Sequence, residues 1–353
     1  MKIKLAILES DKNYLDRIVS VFSTKYADSL QIYSFTDAEI AVSTLATEKI
    51  DVLIAGDIFD IDFSKLPKRC SFAYLVDSAD IDTLNERAAI CKFQKAEMIY
   101  KQILSLYSEN VGTVSGIVSG DGNSKIVIFC SPSGGTGSST MAAACATHFA
   151  SLNQKTLYLN LETLGSSDEF FSAEGQFDMS DIIFALKSKK TNLALKLESC
   201  VKRDQSGVYF YSRPKIALDM LELSAKETIQ LITEINAIGV YENIVIDADF
   251  LLGGEIFDLY NLAHSVLWVD DGSEISNSKT LRAYTALATM EQGMETQVTN
   301  KISIIYNKFS NKNCKPIENT EIRNIGGAPR YDHANSYQVI SQISGMEIFD
   351  KIF

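Results

Sequence analysis

The sequence predicts an α/β protein with two doubly wound parallel-sheet domains. Three observations carry that prediction. Short apolar runs alternate with longer amphipathic ones through the first hundred residues. A stretch rich in Gly and Ser, Asn110–Ser124, then breaks the pattern. A strand, a glycine-rich turn and a helix follow at once in SKIVIFCSPSGGTGSSTMAAACATHFASL, Ser124–Leu152, and the alternation resumes. Repeated β-α units imply parallel strands joined by right-handed crossovers. The 353 residues suffice for two such domains, here expected at 1–110 and 125–353 with a linker at 111–124.

The elements follow in order. IKLAILE reads as a buried strand, and NYLDRIVSVFSTKY places Leu15, Ile18, Val19 and Phe22 at helical spacing. LQIYSF is a strand, DAEIAVSTLATEK a helix, and DVLIAG, SFAYLVD and AICKF are further strands. AEMIYKQILSLYSE closes the domain as a helix. In the second domain KIVIFC, KTLYLNLE, GVYFYS, NIVIDAD, SVLWVDD and KISIIYNK read as strands. SAKETIQLITEINAI opens with Ser224 and Glu227 at capping-box spacing, and SKTLRAYTALATMEQ is a helix.

Composition excludes several functions. The net charge of -12 is wrong for sequence-independent binding to nucleic acid, which needs clustered Lys and Arg. No apolar stretch reaches the roughly 18 residues of a membrane span, and MKIKLAILESDKN turns acidic too soon for an export signal. The six cysteines form no C-x-x-C pair, and they read as small buried residues of a reducing cytoplasm. His148, His264 and His333 are too scattered to suggest a metal site.

PSGGTGSST is the chemical centre of the sequence. A phosphate cradle needs small residues that let backbone N–H groups turn inward, and Gly134, Gly135 and Gly137 provide them. It needs a helix starting at the turn, expected from about Ser138. It also needs a hydroxyl for Mg2+, which Ser139 supplies, with Thr140 beside it for another phosphate oxygen. The loop has no lysine. A lysine about 4 Å from a phosphate is worth roughly 4 kcal/mol at an effective dielectric near 20. Asp247, ending NIVID, is placed as a second magnesium-directed group. Glu162 stands past the strand that follows the loop helix, and Asn307 past a late strand, where an amide suits an adenine edge. All lie at C-terminal ends of parallel strands, where such sheets bind ligands.

With these residues in place, the second domain resembles the ParA/MinD-type P-loop ATPases. That family's loop reads K-G-G-x-G-K-[ST]-[ST]; here Ser133, Gly134, Gly135, Thr136, Gly137, Ser138, Ser139 and Thr140 occupy it. The resemblance implies that Ser133 replaces the lysine that reaches across a dimer, and Ser138 the common P-loop lysine. It implies ATP and Mg2+ as cofactors, with Ser139 and Asp247 as metal ligands and Glu162 as the water-positioning catalytic acid. Asn160 falls at the preceding acid, Asn307 at the adenine contact, and Pro329 in the late proline loop. With both lysines gone, hydrolysis is expected to be slow or absent, although Lys308 or Arg330 could bring charge from another direction.

The first domain resembles a degenerate, flavodoxin-like response-regulator receiver. Its acid positions fall at Glu9, Ser10 and Asp11, its phosphoacceptor position at Gly56 with Asp57 one residue late, its hydroxyl position at Asp77 and its lysine at Lys95. A receiver joined to such an ATPase-like domain looks like the TadZ/CpaE family of pilus-assembly and localisation proteins. That resemblance implies a homodimer, recruitment of other pilus or secretion components, and a cytoplasmic protein placed at a cell pole. An active ATPase cycling on a partner or membrane is the alternative. The closing SGMEIFDKIF has two acids and one lysine, so it is expected to pack on its own domain rather than on anionic lipid.

Overall fold

The computed structural model describes residues 2–111, 122–188, 191–294, 297–318 and 320–353. The chain divides into two compact units, Met1–Ile117 with Phe184–Cys200, and Val118–Ile183 with Val201–Phe353. Most of the stretch expected as a linker lies outside the described residues.

The first unit is built on β1 (Ile3–Leu8), β2 (Leu30–Phe35), β3 (Val52–Gly56), β4 (Ser71–Val76), β5 (Thr83–Leu84) and β6 (Arg87–Cys91), in the order β2-β1-β3-β4-β6-β5. Pairing is parallel except at the β5–β6 edge. β3 and β4 are buried along their whole length, which is why they read as unbroken apolar runs. Helices cover Lys12–Lys25, Ala38–Thr47 and Ala96–Asn110. A 3-10 turn, Phe63–Lys65, stands between β3 and β4, and the short β5 between β4 and β6, where a doubly wound sheet would carry helices.

A helix from far along the chain completes this unit. Leu193–Cys200 packs on Ala96–Asn110, with Leu195 in the same core as Ile103 and Tyr107. Lys196 Nζ donates to Ser105 Oγ at 2.8 Å, and Tyr100 donates to Glu198 at 3.4 Å. These contacts explain why Ala96–Asn110 buries Ser105 and Tyr100 along a face that looks exposed from its own sequence.

The second unit is an eight-stranded sheet: β7 (Lys125–Cys130), β8 (Thr156–Asn160), β9 (Lys202–Arg203), β10 (Tyr209–Phe210), β11 (Asn243–Asp247), β12 (Ser265–Asp270), β13 (Ile302–Phe309) and β14 (Arg323–Pro329). The order is β14-β13-β12-β7-β11-β8-β10-β9, and only the β9–β10 pair is antiparallel. GVYFYS thus contributes only the two residues of β10, and β9 and β14 carry too little periodicity to read in advance.

The glycine turn feeds the helix Ser138–Ser151, as expected. Met141–Ala146 are all fully buried, and the small side chains from Ala142 to Ala146 let the helix lie close on the sheet. The C-terminal segment covers its other side. Phe349 and Ile352 are buried, His148 Nδ1 donates to Ser344 O at 2.8 Å, and its Nε2 lies 3.0 Å from Asp350 Oδ1. The tail therefore packs on its own unit. No helix among the described residues is long and apolar enough to cross a membrane.

Candidate functional site

Strand register assembles the site. β11 lies between β7 and β8, so Asp247 sits beside Asn160 on one side and Phe129, one residue from the loop, on the other. Tyr158 and Asn160 share a face of β8, because side chains alternate along a strand. Tyr158 OH donates to Asp247 Oδ2 at 2.7 Å. The Asn160 amide donates to Asp247 Oδ2 and to Glu162 Oε2, both at 3.0 Å. Ser139 Oγ donates to Glu162 Oε1, also at 3.0 Å. The structure thus joins Ser139, Glu162 and Asp247, three residues the sequence offered separately. Tyr158 was missed, and its signal was a polar tip two residues before Asn160 in an apolar strand.

Asp247 is fully buried. Burial, and next the nearby Glu162 carboxylate, push its carboxyl well above the ordinary value. Its Oδ1 has no hydrogen-bond partner among the described residues. A buried carboxylate oxygen with no partner costs free energy unless a proton or a cation meets it. Mg2+ fits this donor set, since it takes one or two protein oxygens and completes its shell with phosphate and water. Among the described residues no group of three or more His, Cys, Asp or Glu could hold a metal unaided. When bound, the ion would supply charge neutralisation for a polyphosphate.

The loop is fixed from two sides. Ser131 Oγ donates to Val269 O at 2.6 Å and accepts from the Ser133 amide at 3.1 Å, which buries Ser133. Gly135 and Gly137 have φ of 78° and 86°, so the backbone takes the left-handed turn that glycine permits. Thr136 Oγ1 and Ser138 Oγ are buried without partners among the described residues. The first turn of Ser138–Ser151 leaves its N–H groups unpaired within the helix, and the preceding Gly137 gives no side-chain cap. Unpaired donors and hydroxyls at a helix start suit an anion.

Asn307, expected at an adenine edge, lies against the loop. Its amide is buried and donates to Thr136 O at 2.8 Å, so in this structure it braces the loop. Lys308 Nζ donates to Gly135 O at 2.7 Å. Arg330 instead pairs with Asp332 at 3.1 Å. Pro329 is exposed at the end of β14, in register with Phe309, and Gly134 and Thr140 lie in the loop and first helical turn as expected.

The receiver-like unit has a reduced acid pocket. Glu9 is buried and accepts from the Ser10 and Asp11 amides at 2.8 and 3.1 Å. Asp11 caps the next helix through Asn13 and Tyr14. The lysine facing Glu9 is Lys92, at 2.9 Å, which also meets Asp77 at 3.3 Å. This corrects the expectation of Lys95, which instead precedes Ala96–Asn110 as its N-cap residue, because β6 ends at Cys91. A Cβ on Gly56 would lie 3.2 Å from Glu9 Oε2, so Gly56 holds the phosphoacceptor position without a carboxyl. Asp57, the next residue, is exposed.

Residues 1–108 match the family model described as TadZ-like, receiver domain. The fold of a ParA family ATPase from Chlorobium tepidum TLS superposes with a TM-score of 0.51 at 18% identity, covering 66% of this chain and 97% of that one. MinD complexed with Mg-ADP from Pyrococcus horikoshii OT3 gives 0.49 at 15%, covering 65% and 97%. The MinC:MinD complex of Aquifex aeolicus gives 0.48 at 15%, covering 63% and 97%. No curated protein matches the sequence. Residues 1–108 are thus similar to a TadZ-like receiver domain, and the fold of the second unit is similar to that of a ParA family ATPase.

Proposed function

We propose that this chain binds ATP with Mg2+ at Ser133–Thr140 and acts, as a homodimer, as a localisation and recruitment factor in pilus assembly. The observation that carries the nucleotide reading is the set of unpartnered polar groups around the loop. Thr136 Oγ1, Ser138 Oγ and Asp247 Oδ1 are all buried without partners among the described residues, beside a left-handed glycine turn and a helix start. Mg2+ would be held by Ser139 and Asp247. For Ser139 to reach it, the hydrogen bond to Glu162 opens, which frees Glu162 to orient water.

Hydrolysis is slow or absent on this reading, because neither Ser133 nor Ser138 can stabilise developing phosphoryl charge as a lysine does. The homodimer is supported by exposed leucines on the site's own edge. Leu164 follows β8, and Leu251 and Leu252 follow β11; they are 78%, 63% and 54% exposed. Apolar surface of this kind marks a place for a partner. The recruitment role in pilus assembly rests on the match of the first unit to the TadZ-like receiver.

The test uses nucleotide-stripped full-length protein with ATP and Mg2+, counting bound nucleotide and released phosphate. Bound ATP with little phosphate supports the proposal. Steady turnover that disappears in Glu162→Gln would establish an active ATPase instead.

A further inference from the structure

The loop lacks both of its cations, yet an ammonium lies against it. Lys308 Nζ donates to the Gly135 carbonyl at 2.7 Å, and among the described residues that carbonyl is its hydrogen-bond partner. A lysine has three donors, so this single bond leaves room for an anion. The stem passes close to the turn as well: a Cβ on Gly137 would lie 3.5 Å from Lys308 Cε.

The backbone shows how this lysine is aimed. Lys308 has φ of 54°, a left-handed conformation that residues with a Cβ avoid. It falls where the β13–β14 register shifts, between Tyr306 and Phe309. Such irregularities redirect a side chain at the end of a strand. Asn307, just before it, is buried and fixed to Thr136 O at 2.8 Å. A regular strand would send residue 308 along the sheet face. The shift instead delivers its charge to the loop, and strained backbone of this kind gathers at functional sites.

We propose that Lys308 supplies, from the end of β13, the cation toward a nucleotide's polyphosphate that Ser133 and Ser138 do not supply from the loop. The inference rests on the ATP-binding reading above and names the residue that carries the charge there. Lys308 is exposed, so its effect is that of one charge-assisted contact and not of a buried ion pair.

The experiment titrates ATP, ADP and AMP, each with Mg2+, by calorimetry into wild type, Lys308→Met, Lys308→Arg and Ser138→Lys/Lys308→Met. Thermal melts of all four proteins confirm folding. Losing one charge-assisted hydrogen bond should weaken ATP by roughly 10- to 100-fold in Lys308→Met. The loss should shrink from ATP to ADP to AMP, Lys308→Arg should retain most of the affinity, and Ser138→Lys should restore it. Unchanged ATP affinity in Lys308→Met would overturn the proposal. So would an equal loss for ATP and AMP, which would make Lys308 a brace of the loop and not a phosphate contact. A wild-type protein that binds no ATP would instead overturn the nucleotide-binding reading itself.

Discussion

The three loop glycines should differ sharply when each is replaced by alanine, because each meets a different physical demand. Gly134 has no left-handed φ and nothing within 4 Å of a Cβ, so Gly134→Ala should lie within about 1 kcal/mol of wild type. Gly135 has φ of 78° but open space around a Cβ. Gly135→Ala therefore carries the left-handed strain alone, roughly 1–2 kcal/mol. Gly137 has φ of 86°, and a Cβ there would lie 2.5 Å from Asn307 Nδ2. That amide is buried and bonded to Thr136 O, so it must swing away and leave a buried carbonyl unpaired. The lost bond adds roughly 1–3 kcal/mol to the strain, for a total of about 2–5 kcal/mol.

Calorimetric melting reads the difference. A unit of this size loses about 2–4 °C per kcal/mol, so Gly137→Ala should lower the second unit's transition by about 4–20 °C, more than Gly135→Ala. In an Asn307→Ala background the extra cost of Gly137→Ala should fall to the strain alone, since the two residues share one contact. If Gly135→Ala and Gly137→Ala melt together, or the double variant shows no coupling, the claim that Asn307 braces the loop is wrong.

Two further outcomes follow from the same reasoning. Asp247 titrates above its ordinary range, because burial and then Glu162 disfavour its charge. Between the unfolded and folded values the folded protein binds the extra proton, so stability of the nucleotide-free protein is present at low pH and falls as pH rises through that window. Asp247→Asn should remove that fall and raise the neutral-pH melting temperature, while abolishing Mg2+-dependent nucleotide binding; melting curves across pH check it, and a wild-type slope in the variant would refute it. In the receiver-like unit, Gly56 carries no carboxyl, Asp57 is exposed, and Lys92 pairs with Glu9. Acetyl phosphate should therefore leave the protein unlabelled by intact mass, and labelling that Asp57→Asn removes would contradict this placement.

Much of this site is legible from the sequence because parallel sheets collect ligand groups at one edge. The loop, Ser139, Glu162 and Asp247 could be placed from strand ends alone, and register then brought them within hydrogen-bond distance. Roles that depend on side-chain direction were not legible. The irregular end of β13 also sets Asn307 against Thr136 O, a contact that no strand pattern announces. Lys308 reaches the loop through a positive φ that no local pattern announces. Lys92 and Lys95 are three residues apart, and only the end of β6 at Cys91 decides which one meets Glu9. The helix Leu193–Cys200 lies far in sequence from Ala96–Asn110, and nothing in its composition reveals that it completes the first unit.

The central claim is that a loop without lysine still binds ATP. Its most direct measurement is a calorimetric titration of nucleotide-stripped, full-length protein with ATP in the presence and absence of Mg2+. Saturable binding of one ATP per chain, strengthened by Mg2+ and lost in Asp247→Asn, is the predicted result. No heat of binding from a folded protein, or binding indifferent to both Mg2+ and Asp247, would contradict it.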